Sequence, residues 1–278
     1  MGLSVNTNTS ALNAYRNLST TNNQMAKSLE KLSSGFRINR AADDAAGLAI
    51  SEGLRSQIGG IKVAVRNTQD GISVVQTAEG GLSETTSILQ RMRDLAVQAA
   101  NEGGNDTNSN AAMDAESKTL QSELTRIADK TTFNNVKLLD GTYDKNFQVG
   151  YASGDTTKVT IQSASGGVGF DAGDLGVSAV SLTSASGAQT AIGLIDTAIK
   201  NVSTARASLG AIQNRFEHTI NNLNTTAENL TASESRIRDT DMAQEMTNFT
   251  RTQILTQAGT SMLAQANQST QGILKLLG

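Results

Sequence analysis

Three long segments of this 278-residue chain carry a hydrophobic repeat near 3.5 residues, and this repeat limits the possible folds more than any other feature. The repeat runs from Ala11 to Phe36, from Leu54 to Ala96 with a change of phase near residues 79–81, and from Ile192 to Ile237. A repeat of this length is typical of helices that pack along coiled-coil seams. The chain has no Pro, which would break a helix interior, so we predict a mainly α fold of long antiparallel helical rods with coiled-coil packing.

The second segment has a clear start and two weak points. Asp43 and Asp44 precede it, where negative charge suits the positive end of a helix dipole. Gly59-Gly60 and Gly80-Gly81 interrupt it, and each Gly lowers helix propensity by about 1 kcal/mol relative to Ala. These pairs mark either kinks or places where a neighbouring backbone comes close, and the sequence favours neither interpretation.

A different pattern occupies the middle of the chain. Gly is frequent between residues 131 and 183, and Lys158–Gln162 alternates with Val159 and Ile161 on one side. This pattern predicts a small β-hairpin region between helices. The predicted helices around it cover residues 44–100, 105–129 and 188–235.

Both ends of the chain are helix-patterned and almost uncharged. Arg16 is the only charged residue between Gly2 and Ala26, and none lies between Thr252 and Leu274. A thin helix of this kind is marginal in water by itself, so we expect both ends to become stable when many copies pack together. The predicted assembly seams are Tyr15, Leu18, Met25, Leu29 and Leu32 at the N-terminal end, and Met242, Met246, Phe249, Leu255, Met262 and Leu263 at the C-terminal end.

Composition argues against several classes of function. The formal net charge is −3, which disfavours nucleic acid as a partner. The chain has no Cys and a single histidine, His218, so disulfides, thiolate zinc sites and Ser-His-Asp triads are excluded. Thr252–Leu274 could span a bilayer by length but is too rich in Thr, Ser, Gln and Asn. We expect no enzyme activity, no catalytic or metal site, no cofactor and no membrane insertion.

Two long motifs resemble known signatures. Residues 32–51, LSSGFRINRAADDAAGLAIS, closely resemble the N-terminal signature of bacterial flagellins, and residues 235–278 resemble the C-terminal signature almost throughout. TTFNNVKLLDG, at residues 131–141, is similar to the start of that family's β-hairpin region. A hook-filament junction protein or a type III needle subunit is the rival interpretation, and these motifs fit it less well.

The resemblance implies a structural subunit that self-assembles into the hollow helical flagellar filament. It implies a D0 region of residues 1–42 and 236–278 and a D1 region of residues 43–235, with no large outer domain. The implied partners are other copies of the chain, a flagellar secretion chaperone, and the hook-filament junction and cap proteins. The implied location is extracellular, after export by the flagellar type III system. The N-terminus shows no basic leader or apolar core of a cleaved signal peptide.

The resemblance also implies recognition by a host Toll-like receptor. Carried over by position, the contact residues are Arg91, Leu95, Gln98 and Glu116. The alternative is that Leu95 packs inside the helical region and that Arg91 is a solvated charge. The Ser/Thr-rich run at residues 181–186 is likewise open to two interpretations, as solvated turns or as a site of O-linked glycans.

Overall fold

The computed structural model describes residues 7–163 and 168–277, with side chains to residue 268 in the last helix. Residues 1–6 and 278 of the predicted terminal helices, and 164–167 of the predicted hairpin region, lie outside the described residues. The helices are α1 (Thr9–Ser34), α2 (Ala45–Ala99), α3 (Thr107–Lys130), α4 (Ala185–Arg238) and α5 (Met242–Leu277). The strands are β1 (Thr132–Phe133), β2 (Val136–Lys137), β3 (Tyr143–Gln148) and β4 (Thr156–Ile161). The predicted fold class, mainly α with a small β-hairpin region, is confirmed.

The chain divides into two compact units. The terminal unit consists of residues Met1–Ile58 and Glu228–Gly278, and the middle unit of Gly59–Ala227. This division does not coincide with the predicted D0 and D1 bounds at 42/43 and 235/236, which stay a prediction about the assembled protein.

Within the terminal unit, local capping fixes where the terminal helices begin and end. The Asn8 side chain accepts a hydrogen bond from the backbone N–H of Ala11 at the start of α1. Gly35 ends α1 in the left-handed conformation, with φ of 76°, and its N–H bonds to the carbonyl of Lys31. Asp241 caps α5 by accepting from the N–H groups of Ala243 and Gln244. The start and end of α1 and the start of α5 are therefore determined by residues next to them in the sequence.

Helices α1 and α5 pair antiparallel along their length. The Asn8 side-chain amide donates to the carbonyl of Ala266 at 2.9 Å, and the Thr256 hydroxyl donates to the Asn22 side chain at 3.3 Å. As the residue number rises in α1, the partner's number falls in α5. We call α1 and α5 the terminal helix pair.

Within the middle unit, α2 runs antiparallel to both α3 and α4. Arg93 pairs with Asp196 at 2.6 Å and Arg206 pairs with Glu79 at 2.8 Å. The residue number therefore increases along α4 as it decreases along α2. The α2–α3 contact includes a 2.7 Å pair of Arg91 and Glu116. Between the helices lies a continuous apolar core, whose fully buried side chains include Leu82, Leu89, Met92, Leu124, Ile195, Val202 and Phe216.

Two antiparallel hairpins follow α3. The β1–β2 turn places Asn134 and Asn135 at φ of 46° and 65°, as a tight two-residue turn requires. In β4, Val159 and Ile161 both face the core, which confirms that they share one side. Among the described residues of this region, the last strand ends at Ile161, earlier than the predicted limit of 183.

After β4, the described residues 168–182 form turns and coil rather than further strands. Apolar side chains of this segment, including Phe170, Val177 and Leu182, are nevertheless buried in the core. The carboxylate of Asp114 on α3 accepts the backbone N–H of Leu182 at 2.8 Å. Side-chain burial, the Asp114 carboxylate and a backbone hydrogen bond from the Phe170 N–H to the Leu139 carbonyl hold this segment in place. Because residues 168–182 form no strand, their buried side chains show no strand alternation in the sequence.

One glycine of each pair in α2 lies at a close contact. A Cβ added at Gly60 would come within 2.8 Å of the Tyr151 Cβ, and one at Gly81 within 2.8 Å of Leu139 and 2.9 Å of Thr131. Gly59 and Gly80 have nothing within 4 Å of the same position. The close-approach interpretation therefore holds for Gly60 and Gly81, whereas Gly59 and Gly80 have no packing requirement.

Candidate assembly surface

The predicted assembly-seam residues of α1 differ in their exposure within the single chain. Leu18, Met25 and Leu32 are partly buried. Tyr15 and Leu29, by contrast, are 63% and 56% exposed. The small neighbouring residues, Ala14, Thr21 and Ser28, turn towards the interior of the pair.

The two helices pack closely on the inner side of α1. A Cβ at Gly259 of α5 would lie 3.2 Å from the Leu18 side chain, so the two helices approach where α5 carries no side chain. Tyr15 lies on the outer flank of α1. Gly259 was missed from the sequence, and the signal that could have identified it is a glycine opposite a column of small residues.

The C-terminal seam residues are also largely exposed. Phe249 and Leu263 are partly buried. Met242, Met246, Leu255 and Met262 are 47%, 52%, 49% and 65% exposed. The position buried on α5 is instead Thr252, whose hydroxyl bonds back to the carbonyls of Asn248 and Phe249.

The terminal helix pair therefore reverses the usual arrangement of a small helical fold. Its buried positions include Ser28 and Thr252, whereas long apolar side chains face solvent on both helices. Leu12 and Ile254, at 54% and 60% exposed, add to that surface. Long apolar side chains exposed on both helices of one pair point to a site of contact with another molecule.

A cluster of polar contacts joins the two connections that lead to this pair. The Arg238 guanidinium lies 4.8 Å from the centre of the Phe36 ring and 2.7 Å from the Glu52 carboxylate. Hydrogen bonds from Arg238, and then from Arg55, lower the pKa of Glu52. A hydrogen bond of 2.7 Å from the backbone N–H of Arg37 to the carbonyl of Arg238 holds the same segments together. These contacts hold together the segment that follows α1 and the segment that precedes α5.

The residues carried over for receptor recognition divide into two groups. Arg91, Gln98 and Glu116 are exposed, and the Arg91–Glu116 pair keeps 55% and 43% of its side-chain surface in solvent. Leu95 is only 2% exposed and belongs to the core of the middle unit. A partner cannot contact Leu95 directly, so its expected role as a contact residue is corrected to packing beneath the surface.

Other kinds of site find little support in the described part of the chain. No three His, Asp or Glu side chains there are grouped closely enough to hold a metal ion. His218 is an exposed residue of α4. No described helix combines the length and apolar character that crossing a bilayer requires.

Comparison with known proteins gives strong matches at both ends. Residues 5–144 match the family described as the bacterial flagellin N-terminal helical region, and residues 192–277 match the bacterial flagellin C-terminal helical region. A flagellin of Halalkalibacterium halodurans is 53% identical over 274 residues, which cover 98% of this chain and 99% of that protein. A flagellin of Bacillus subtilis is 47% identical over 301 aligned residues, with the same coverage of each chain.

A solved structure is similar as well. The crystal structure of Bacillus cereus flagellin is 36% identical and superposes with a TM-score of 0.50. The match covers 61% of this chain and 94% of that one.

Proposed function

The chain belongs to the bacterial flagellin family of extracellular, non-enzymatic flagellar filament subunits, and we propose that the terminal helix pair drives its self-assembly into a hollow helical filament. The observation that carries this proposal is the reversed burial of α1 and α5. Side chains such as Tyr15, Leu29 and Met262 are more than half exposed among the described residues of their own unit. A surrounding layer of identical helix pairs covers them.

Assembly in this manner couples ordering to polymerisation. Helices that bury little apolar surface within one molecule are marginal in isolation, and contact with neighbours stabilises them by mass action. When one surface of a subunit contacts a different surface of the next subunit and the rotation between them does not close into a ring, the contact generates an open helix of subunits. We place the D0 region at residues 1–42 and 236–278 and the D1 region at residues 43–235.

The same proposal extends to the route of the subunit. Export by the flagellar type III system, with a secretion chaperone guarding the apolar ends, fits a chain whose terminal helices expose Met242, Met246 and Met262 before assembly. The filament cap and the hook-filament junction proteins are its proposed neighbours at the two ends of the polymer.

Truncation tests the role of α5. Removing residues 249–278 should leave a folded middle unit and a soluble monomer that forms no filaments on seeding, since α1 then lacks its helical partner. Circular dichroism and hydrogen exchange of residues 59–227 serve as the control for folding. Filaments of the truncated chain in electron micrographs would refute the proposal.

Hydrogen exchange tests the coupling of order to assembly. In the dilute full-length chain we expect amides of α1 and α5 to exchange rapidly, while those of the middle unit are protected by its apolar core. In filaments the same terminal amides should become protected. Strong protection of both terminal helices in the monomer would contradict coupled ordering.

We also propose that the monomer is a ligand of the flagellin-recognising Toll-like receptor, through the exposed residues Arg91, Gln98 and Glu116. An Arg91→Ala, Gln98→Ala double variant leaves the buried Leu95 in place, so it tests the surface without opening a cavity. It should signal much more weakly than the parent in receptor-bearing cells. An Arg126→Ala variant, which removes another exposed ion pair of α3, is the matched control. Equal signalling by the double variant and the control would defeat the proposal.

A further inference from the structure

We propose that Tyr15 of one copy inserts into a cavity between α1 and α5 of a second copy. This inference rests on the proposed filament assembly and names one contact that would build it. The occupant of the cavity is a side chain from a second copy of this chain.

The cavity lies within the terminal unit and has a volume of about 460 Å³. Its apolar wall is formed by Leu18 of α1 with Leu255, Ala258 and Met262 of α5. Asn13 and Asn17 contribute amide groups on the α1 side. Leu255 and Met262 are 49% and 65% exposed, so much of this apolar wall faces solvent in the single chain. The cavity therefore suits an occupant with an apolar body and a polar tip.

Tyr15 has this chemistry. The residue is 63% exposed, and a tyrosine offers a large apolar surface that ends in a hydroxyl able to donate or accept a hydrogen bond. The only other aromatic residue of the terminal helix pair, Phe249, is partly buried and has no polar tip. Within the pair, Tyr15 is thus the exposed side chain that matches both the apolar wall and the amide groups.

A single chain cannot make this contact with itself. Residues two positions apart on a helix differ by about 200° around its axis, so Tyr15 and Asn17 point to opposite sides of α1. Asn17 lines the cavity, and Tyr15 therefore projects from the other flank. Such a contact is heterologous, because the Tyr15 flank of one copy meets the cavity of the next. Where the rotation between copies does not close into a ring, it propagates as an open chain, as a filament requires.

Substitution of Tyr15 tests the inserted side chain. Tyr15→Ala should raise the critical concentration for seeded filament growth roughly 30-fold, a change typical of a buried aromatic anchor at an interface. Tyr15→Phe should raise it less than tenfold because the ring remains. Leu12→Ala removes an apolar side chain that is 54% exposed and lies about 60° further around α1, so its effect should be small. Equal effects of Leu12→Ala and Tyr15→Ala, or no effect of Tyr15→Ala, would overturn the proposal.

Filling the cavity tests the other half of the contact. Ala258 lines the cavity and is exposed in the single chain, so the larger side chain of Ala258→Leu occupies part of the cavity without disturbing the monomer. It should raise the critical concentration as Tyr15→Ala does, while the circular dichroism of the monomer stays unchanged. Normal growth of Ala258→Leu filaments would show that the cavity remains empty in the polymer.

Cross-linking tests the direction of the contact and uses the absence of native cysteines. Ser19 lies one turn from Tyr15 on the same flank, and Asn17 lines the cavity on the other. Filaments of a Ser19→Cys, Asn17→Cys variant treated with a short bismaleimide should give a ladder of covalent oligomers. A Ser19→Cys, Asn23→Cys variant, with both thiols on the outer flank, should give none. A ladder from the second pair alone would show that like flanks meet, which refutes the proposal. Absence of filaments from the unmodified chain would instead refute filament assembly itself.

Discussion

Gly80 and Gly81 are adjacent in α2, yet a methyl group added to each meets a different environment. At Gly80 the new Cβ has nothing within 4 Å. At Gly81 it would lie 2.8 Å from Leu139 Cδ1 and 2.9 Å from Thr131 Oγ1. Leu139 is fully buried, and the Thr131 hydroxyl is bonded to the Ile127 carbonyl at 2.8 Å, so neither moves freely. Gly80→Ala and Gly81→Ala form a matched pair.

The expected stability changes follow from two opposing effects. Replacing Gly by Ala within a helix stabilises the folded state by about 1 kcal/mol, and this gain is common to both variants. Overpacking a well-filled site costs about 1–3 kcal/mol, and only Gly81→Ala incurs that cost. Gly80→Ala should therefore stabilise the middle unit by about 1 kcal/mol. Gly81→Ala should be less stable than Gly80→Ala by about 2 kcal/mol.

Urea unfolding of the full-length monomer, followed by circular dichroism, measures this difference. With a urea dependence of about 2 kcal/mol per M, the unfolding midpoints of the two variants should differ by about 1 M. Hydrogen exchange of residues 59–227 assigns the transition to the middle unit. If Gly81→Ala raised the midpoint as much as Gly80→Ala, the contact with Leu139 and Thr131 would not constrain α2.

Two further predictions concern the middle unit. For Asp114, burial by itself raises the pKa, but the hydrogen bonds from Lys118 and from the Leu182 N–H outweigh it and lower the pKa below 3.8. The stabilising contribution of the ionised Asp114 is therefore fully present above about pH 4 and is lost as the pH falls through its folded-state pKa. Asp114→Ala should lower the free energy of unfolding by about 1–3 kcal/mol at pH 7. Urea titrations at several pH values should show a weaker acid dependence for this variant. At the β1–β2 turn, Asn135→Gly should keep the left-handed conformation and preserve stability, whereas Asn135→Val should lower it by about 1–2 kcal/mol in the same assay, with Asn134 left unchanged.

Sequence periodicity predicts the helices well because a helix is a local structure. The repeat along α1 and α2 recurs within each segment, and caps such as Asn8 and Gly35 lie next to the ends that they define. The two turn asparagines and the alternation around Val159 are equally local. None of these features depends on a distant part of the chain.

Which side chains a helix covers within one chain depends on distant residues. Ala14 and Tyr15 are adjacent, and either could continue the repeat from Ala11 to Leu18. Side-chain size favours Tyr15 when the sequence is considered alone. In the structure Ala14 is partly buried and Tyr15 is 63% exposed, and α5 approaches Leu18 closely at Gly259. Gly259 is more than 240 positions away from Leu18 in the chain.

Long helices around a short hairpin region follow from the amino-acid sequence alone, and the two terminal signatures identify the family. Which side of each helix meets a neighbour is visible only in the folded chain. The tertiary structure placed Leu95 inside and Arg91 outside, separated Gly81 from Gly80, and left Tyr15 on the outer flank. The physical reason is that helical hydrogen bonds join residues four apart, whereas close packing is decided by the shapes of side chains that meet only after the chain has folded.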